Sequence, residues 1–147
     1  TEKHKARAVV CGNFQKKNPG EDLSTANADI TSAWAVLAHA ATQRHNSKGL
    51  GVKAALLNAN LPGHVEDIFV HPPQALVEFG MVPVGAIWHA RKAIYGLRNS
   101  PKAWGIERDR ELAKMTITFN GVAYRFAQSH IDHSAWSVAR GRYASEG

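Results

Sequence analysis

Ile30, Ala33, Trp34, Leu37, Ala38 and Ala41 fall at i, i+3, i+4, i+7, i+8 and i+11. That spacing fits a 3.6-residue period, so it predicts an amphipathic helix over 30–45 with an apolar face to bury. Asp29 is placed to cap its start, and Asn46 to Gly49 to close it. A second helix is predicted over 100–114. Asn99 or Ser100 caps it, and Pro101 stands near the first position, where a missing N–H costs little. Short strand-like segments surround these helices. They cover residues 5–11, 50–56, 67–71, 86–88, 117–127 and 134–139. Pro72-Pro73 stops the third, and Asn120-Gly121 turns the fifth into a hairpin. Residues 13–28 are polar and hold Pro19-Gly20, which is loop chemistry. No regular βαβ repeat is visible, so the expected class is α+β.

The chain has 147 residues, 44% of them hydrophobic and 20% charged. That composition suits one folded domain and excludes a disordered tail or a collagen-like repeat. No apolar run approaches the roughly 20 residues that span a membrane. The charged start, Thr1 to Lys5, has no apolar segment behind it, so the chain reads as intracellular, with no membrane partner. One cysteine, Cys11, excludes an internal disulfide. Cys11 is expected to be an inert hydrophobe inside a strand, and the four tryptophans core or half-buried.

Charge is more informative. Eighteen Lys and Arg stand against twelve Asp and Glu, a formal +6. Lys3, Lys5, Arg7, Lys16 and Lys17 fall in residues 1–17 beside a single acid, Glu2. Residues 79–106 hold Arg91, Lys92, Arg98 and Lys102 and no acid. Two such blocks suit a polyanion partner, because each neutralised phosphate releases counterions. A merely basic, soluble surface is the other reading.

Most catalytic patterns are absent. No Gly-x-Ser-x-Gly elbow and no Gly-rich phosphate loop occurs. His130-Ile131-Asp132-His133 is the densest metal-like group, but no second cluster stands at a recognisable spacing, and a turn between strands explains it. Lys92 to Trp104 is different: a basic turn with a glycine inside it leads into a proline-started helix. The glycine admits a close backbone approach, and the helix start with its flanking cations suits phosphate.

This segment resembles the Lys-Ala-Leu-Tyr-Gly-Leu-Lys-Gln-Ala-Pro-Arg-x-Trp run of copia-type retrotransposon reverse transcriptases. Lys92, Ala93, Tyr95, Gly96, Leu97, Pro101 and Trp104 match it. Three further segments agree in order. Lys5 to Val9 resembles the opening Lys-Ala-Arg-Leu-Val, followed by Gly12 to Gln15 for Gly-Phe-x-Gln with one residue inserted. Val52 to Asn58, Leu61 and Ile68 to Pro72 resemble Val-Lys-Thr-Ala-Phe-Leu-Asn and Ile-Tyr-Met-x-Gln-Pro. Ser129 to Ser134 resembles the Ala-Asp-Pro-Cys stretch. The resemblance covers about residues 3–138.

The resemblance implies a partial fingers and palm of a right-hand polymerase, with fingers over about 1–49 and a palm-like part over about 50–147. It implies template-directed DNA synthesis from dNTPs on RNA or an RNA–DNA hybrid, with two Mg²⁺ ions held by carboxylates. Lys5 and Arg7 become candidates for the triphosphate. Tyr95, Gly96, Arg98, Pro101 and Lys102 become candidates for the nucleotide and template pocket, with Gly96 leaving room for the base pair. Lys5, Arg7, Arg98 and Lys102 are expected on one concave face. Leu56 takes the place of the aromatic that screens the ribose 2′-hydroxyl. The first metal-binding aspartate falls at Gly51, which offers no ligand atom. The Tyr-Val-Asp-Asp hairpin is expected beyond the last matched segment, and the sequence reaches Gly147 without it. No catalytic residue is therefore expected intact, and no metal or cofactor in this chain. The alternatives are a basic nucleic-acid-binding module and a decayed retroelement protein without specific activity.

Overall fold

The computed structural model describes residues 8–16, 22–25, 27–61 and 67–140. These divide into two units. One draws on Thr1–Leu23 and Ala54–Glu107, the other on Ser24–Lys53 and Arg108–Gly147.

The first unit is built around small side chains. Ala59, Ala93 and Ala103 are buried together, and Leu56, Leu61 and Trp104 pack against them. Alanines let backbones come close, and here the Ala93 amide donates to the Ala59 carbonyl at 3.0 Å. Strands β1 (Ile68–Val70) and β2 (Trp88–Ala90) pair antiparallel, with Ile68 opposite Ala90 and Phe69 opposite His89. Pro72-Pro73 ends β1, as a residue pair without amide donors must. Pro73 then starts a short helix α3 over Gln74–Glu78.

In the second unit, helix α1 spans Ile30–Thr42, and the Asp29 carboxylate caps it by accepting from the Thr31 amide at 2.6 Å. It closes earlier than Asn46 to Gly49. Arg44 takes a left-handed φ of 53°, its amide donates to Ala41, and the His45 amide reaches back to Ala40 at 2.7 Å. This is the two-bond closure usually made by glycine. The apolar stripe is real but largely uncovered. Ile30 is 68% and Trp34 66% exposed. Periodicity fixes which residues share a face; it does not supply a partner, and no other helix or strand of the described residues covers this one. Trp34 and Trp88 are thus exposed, whereas Trp104 and Trp136 are half-buried as expected.

Helix α4 spans Ser100–Lys114, as predicted; residues up to Glu107 count with the first unit and the rest with the second. The hairpin also forms as predicted. β3 (Thr116–Phe119) and β4 (Val122–Gln128) meet at Asn120 and Gly121, with φ of 49° and 75°. Two positive φ values give the turn whose twist matches paired strands. β5 (Trp136–Arg140) adds to β4, giving an antiparallel order β3-β4-β5.

The α+β class therefore holds, with antiparallel pairing throughout the described strands. Two expected strands do not form. Residues 50–56 give an irregular stretch, a left-handed Ala54 with φ of 51°, and a one-turn helix α2 over Ala55–Asn58. A short apolar run has the same pattern in strand and helix, and no neighbouring strand pairs with this one. Residues 8–11 form no strand: the Val10 amide makes one backbone bond to Tyr95 rather than a ladder, the chain turns at Cys11, where the Gly12 amide donates to the Val10 carbonyl at 3.0 Å, and Cys11 is exposed; residues 5–7 lie outside the described residues. The predicted strand at 86–88 sits two residues later. The segment from His130 to His133 is the turn between β4 and β5, and no group of three or more His, Cys, Asp or Glu among the described residues can hold a metal. No helix of the described residues is long and apolar enough to cross a membrane.

That turn is fixed by Asp132. Its Oδ1 accepts from the Ser134 hydroxyl at 2.6 Å and the Ser134 amide at 2.8 Å. These bonds hold the Asp132 carboxyl at about 2, below its ordinary 3.8. A depressed folded value contributes stability above the unfolded pKa and loses it as pH falls through the folded one. An NMR titration of the Asp132 carboxyl is expected to show a midpoint near 2, with loosening of residues 129–135 confined to pH below about 3.8. Asp132→Asn should abolish that acid dependence.

Candidate functional site

The basic turn is organised by backbone groups before any charged side chain contributes. Ser100, 1% exposed, donates from its hydroxyl to the Ile94 carbonyl at 2.6 Å and accepts from the Ile94 amide at 3.0 Å. One side chain thereby closes the loop from 94 to 100. Gly96 at its apex has φ of 95°. Asn99 lies buried at the start of α4, and its carbonyl accepts from the Ala103 amide.

The stretch from Val9 to Gln15 crosses this turn. The Val10 amide donates to the Tyr95 carbonyl at 2.8 Å. The Gln15 side chain donates to Asn99 Oδ1 at 2.9 Å and accepts from the Arg98 amide at 3.1 Å. At the crossing both chains are glycine. A Cβ on Gly96 would stand 1.8 Å from the Val10 carbonyl oxygen, and one on Gly12 would stand 1.9 Å from the Gly96 carbonyl oxygen. No heavy atom tolerates that distance. Gly96 therefore does permit a close approach, and the group that approaches is the chain's own backbone.

The crossing forms one wall of an open cleft of about 510 Å³, with β1 as the other. Val9 to Gly12, Leu97 and Asn99 meet Ile68 to His71 across it. Two segments singled out on sequence, Gly12 to Gln15 and Ile94 to Pro101, are thus brought into direct contact over some 80 residues of separation.

The other candidates are distributed as follows. Lys5 and Arg7 lie outside the described residues. Leu56 is half-buried on the alanine core. Tyr95 is half-buried and engages Val10 through its carbonyl. Arg98 is half-buried, and Pro101 is exposed in the first turn of α4. Lys102 is held by Asp22, with its ammonium 2.8 Å from Oδ2 and 2.6 Å from the carbonyl. Gly51 is exposed, its φ is not left-handed, and an added Cβ would meet nothing within 4 Å. The fold does not require glycine there.

Sequence reasoning missed Gln15 as a bridge. An amide that both donates and accepts is the right group for two unlike partners, but the partners become visible only in the fold. It also missed a cluster on the β1–β2 ribbon. The His89 ring lies over Phe69 at 5.1 Å, and its Nε2 is 2.9 Å from Asp67 Oδ1. Their shared face depends on strand register, which the sequence does not give.

Residues 1–129 match the family model for reverse transcriptase (RNA-dependent DNA polymerase), which covers both crossing segments and the Val52 to Asn58 stretch between them. The chain belongs to the reverse transcriptase family. No curated protein and no solved structure matches it. Reverse transcriptases work on a nucleic-acid template with dNTPs.

The crossing gives this reverse transcriptase chain a sharp mutational signature. Gly96→Ala is expected to cost about 3 kcal/mol or more, from overpacking plus a left-handed backbone. Gly105→Ala, in α4 with no heavy atom within 4 Å of the new Cβ, is expected to gain up to about 1 kcal/mol. Urea unfolding of the two variants checks both signs.

Proposed function

We propose that this chain is a copia-type reverse transcriptase polypeptide that binds nucleic acid but does not itself catalyse DNA synthesis. The order of its four motif segments supports the copia type. Tyr95, Gly96, Arg98, Pro101 and Lys102 would line the nucleotide and template path, with Lys5 and Arg7 toward the triphosphate. The basic blocks supply the phosphate attraction such a path needs.

The observation that carries the loss of synthesis is Gly51. It stands where the family's first metal-binding aspartate precedes Val52 to Asn58. Mg²⁺ demands near-octahedral oxygen ligands, and the residues around Gly51 do not fit it. Gly51 has no side chain, and among the described residues no group of three or more His, Cys, Asp or Glu could hold an ion. Asp67, the described acid closest after it in sequence, is engaged by His89. No catalytic step is therefore assigned to a metal in this chain.

The test pairs two assays on one preparation. Filter binding to an RNA–DNA hybrid should show an affinity that falls steeply with salt. Primer extension with dNTPs and Mg²⁺ should give no product from the wild-type chain or from Gly51→Asp, because one restored carboxylate does not make a two-metal site. The variant should fold normally, since nothing crowds the new side chain. Template-dependent product from the wild-type chain contradicts the dead site, and a hybrid affinity that is absent at low salt contradicts nucleic-acid binding.

A further inference from the structure

One edge of the antiparallel sheet lacks the features that keep strand edges apart. β3 lies outermost in the order β3-β4-β5, and all its residues are exposed. Natural edges are usually blunted by a lysine, a proline or a bulge. Met115 to Tyr124 hold no charge and no proline, and the register from Thr116 to Phe119 runs without a bulge. Lys114, just before them, is 2.8 Å from Glu111 on its own helix. Thr-Ile-Thr-Phe is instead made of residue types that favour pairing. The opposite edge, β5, ends on Arg140.

The backbone groups of this edge match themselves. A two-residue hairpin closes on a hydrogen-bonded pair, here Phe119 and Val122, and bonded pairs then alternate along the strand. Ile117 therefore turns its amide and carbonyl inward to Tyr124, and Thr116 and Thr118 turn theirs outward. Neither threonine makes a backbone bond to a described residue outside the hairpin. A second β3, related by a two-fold axis through Ile117, sets Thr116 against Thr118 of the second copy and Thr118 against its Thr116. Each of these pairs exchanges two backbone bonds.

The side chains agree with that register. Threonine faces threonine on one side of the sheet. On the other, Ile117 meets its own mate, and Phe119 comes beside Met115 of the second copy, a favourable sulfur–aromatic contact. These side chains are now open to water: Phe119 is 65%, Met115 48% and Ile117 42% exposed. An axis through Thr118 is the weaker choice. It leaves one fully bonded pair and sets Thr116 against Asn120, which is left-handed and outside the strand.

We infer that the β3 edge is a self-association surface whose occupant is the β3 edge of a second copy. The two sheets join antiparallel about Ile117 into one closed, two-fold dimer. With no charge at the seam, the formal +6 of each chain does not set like charges against each other there. The pairing depends on the hairpin alone and not on nucleic-acid binding.

Sedimentation equilibrium of the full chain across micromolar concentrations tests it. The wild-type chain should pass from monomer to dimer and stop there. Thr118→Pro removes an outward amide, which an edge strand tolerates in the monomer. It deletes half of the bonds across the seam and should weaken the dimer about tenfold or more, with the circular dichroism spectrum unchanged. A second measurement does not depend on that variant folding. In a Cys11→Ala background, with oxidised glutathione as oxidant, Ile117→Cys should give a disulfide-linked dimer. Facing residues of a non-bonded pair lie about 4.5 Å apart at Cα, within disulfide reach. Thr118→Cys should cross-link far less, because its mate is displaced along the strand. A wild-type chain that stays monomeric overturns the inference, as does a dimer indifferent to Thr118→Pro. Species that grow past the dimer, the result of β3 pairing with β5, overturn it too. So does cross-linking that is absent at residue 117 or equal at 117 and 118.

Discussion

Two glycines that cross at van der Waals limits hold two distant segments of this chain together. Gly12 and Gly96 bring two backbones so close that a single methyl on either would overlap a carbonyl oxygen. Approach at that distance lets the Val10 amide reach Tyr95 and lets Gln15 span Asn99 and Arg98. The basic turn has no large hydrophobic core beneath it. The buried hydrophobic residues of the described chain are alanines and Leu97. Shape at this site therefore comes from backbone contact and satisfied polar groups such as Ser100, rather than from side-chain volume. Such a site tolerates little change at its glycines and is less sensitive around them.

The same arrangement separates two kinds of chemistry. The cations follow the turn, where Lys102 is already engaged by Asp22 and Arg98 is fixed through its backbone. The aromatic rings lie in the cleft beyond the crossing. What the chain lacks is a carboxylate at Gly51, a position where the fold leaves room for one.

Much of this was legible in the sequence. The Pro101-started helix and the Asn120-Gly121 hairpin were readable because each rests on a local constraint, a missing amide donor in one case and paired positive φ in the other. The glycine of the basic turn was also legible as a point of close approach. What approaches it was not, because Val10 lies 86 residues earlier. The run from Leu50 to Leu57 was misread as a strand because its apolar pattern is short and carries no period. The exposure of Trp34 could not be foreseen, since a helical stripe announces a face without naming its cover. The Phe69–His89 pair depends on register, and one residue of slip would put those rings on opposite faces.

The central claim is that residues 9–15 and 93–100 form one cooperative unit through the glycine crossing. Native-state hydrogen exchange tests it most directly, because the claim concerns named amides. The amides of Val10, Ile94 and Arg98, each bonded across or within this junction, and that of Ala93, bonded to Ala59, should exchange slowly and at one common opening free energy. They should be far slower than the exposed amides of Leu50 to Val52. Exchange of Val10 and Arg98 as fast as that stretch, with Ala93 still protected, would contradict the account.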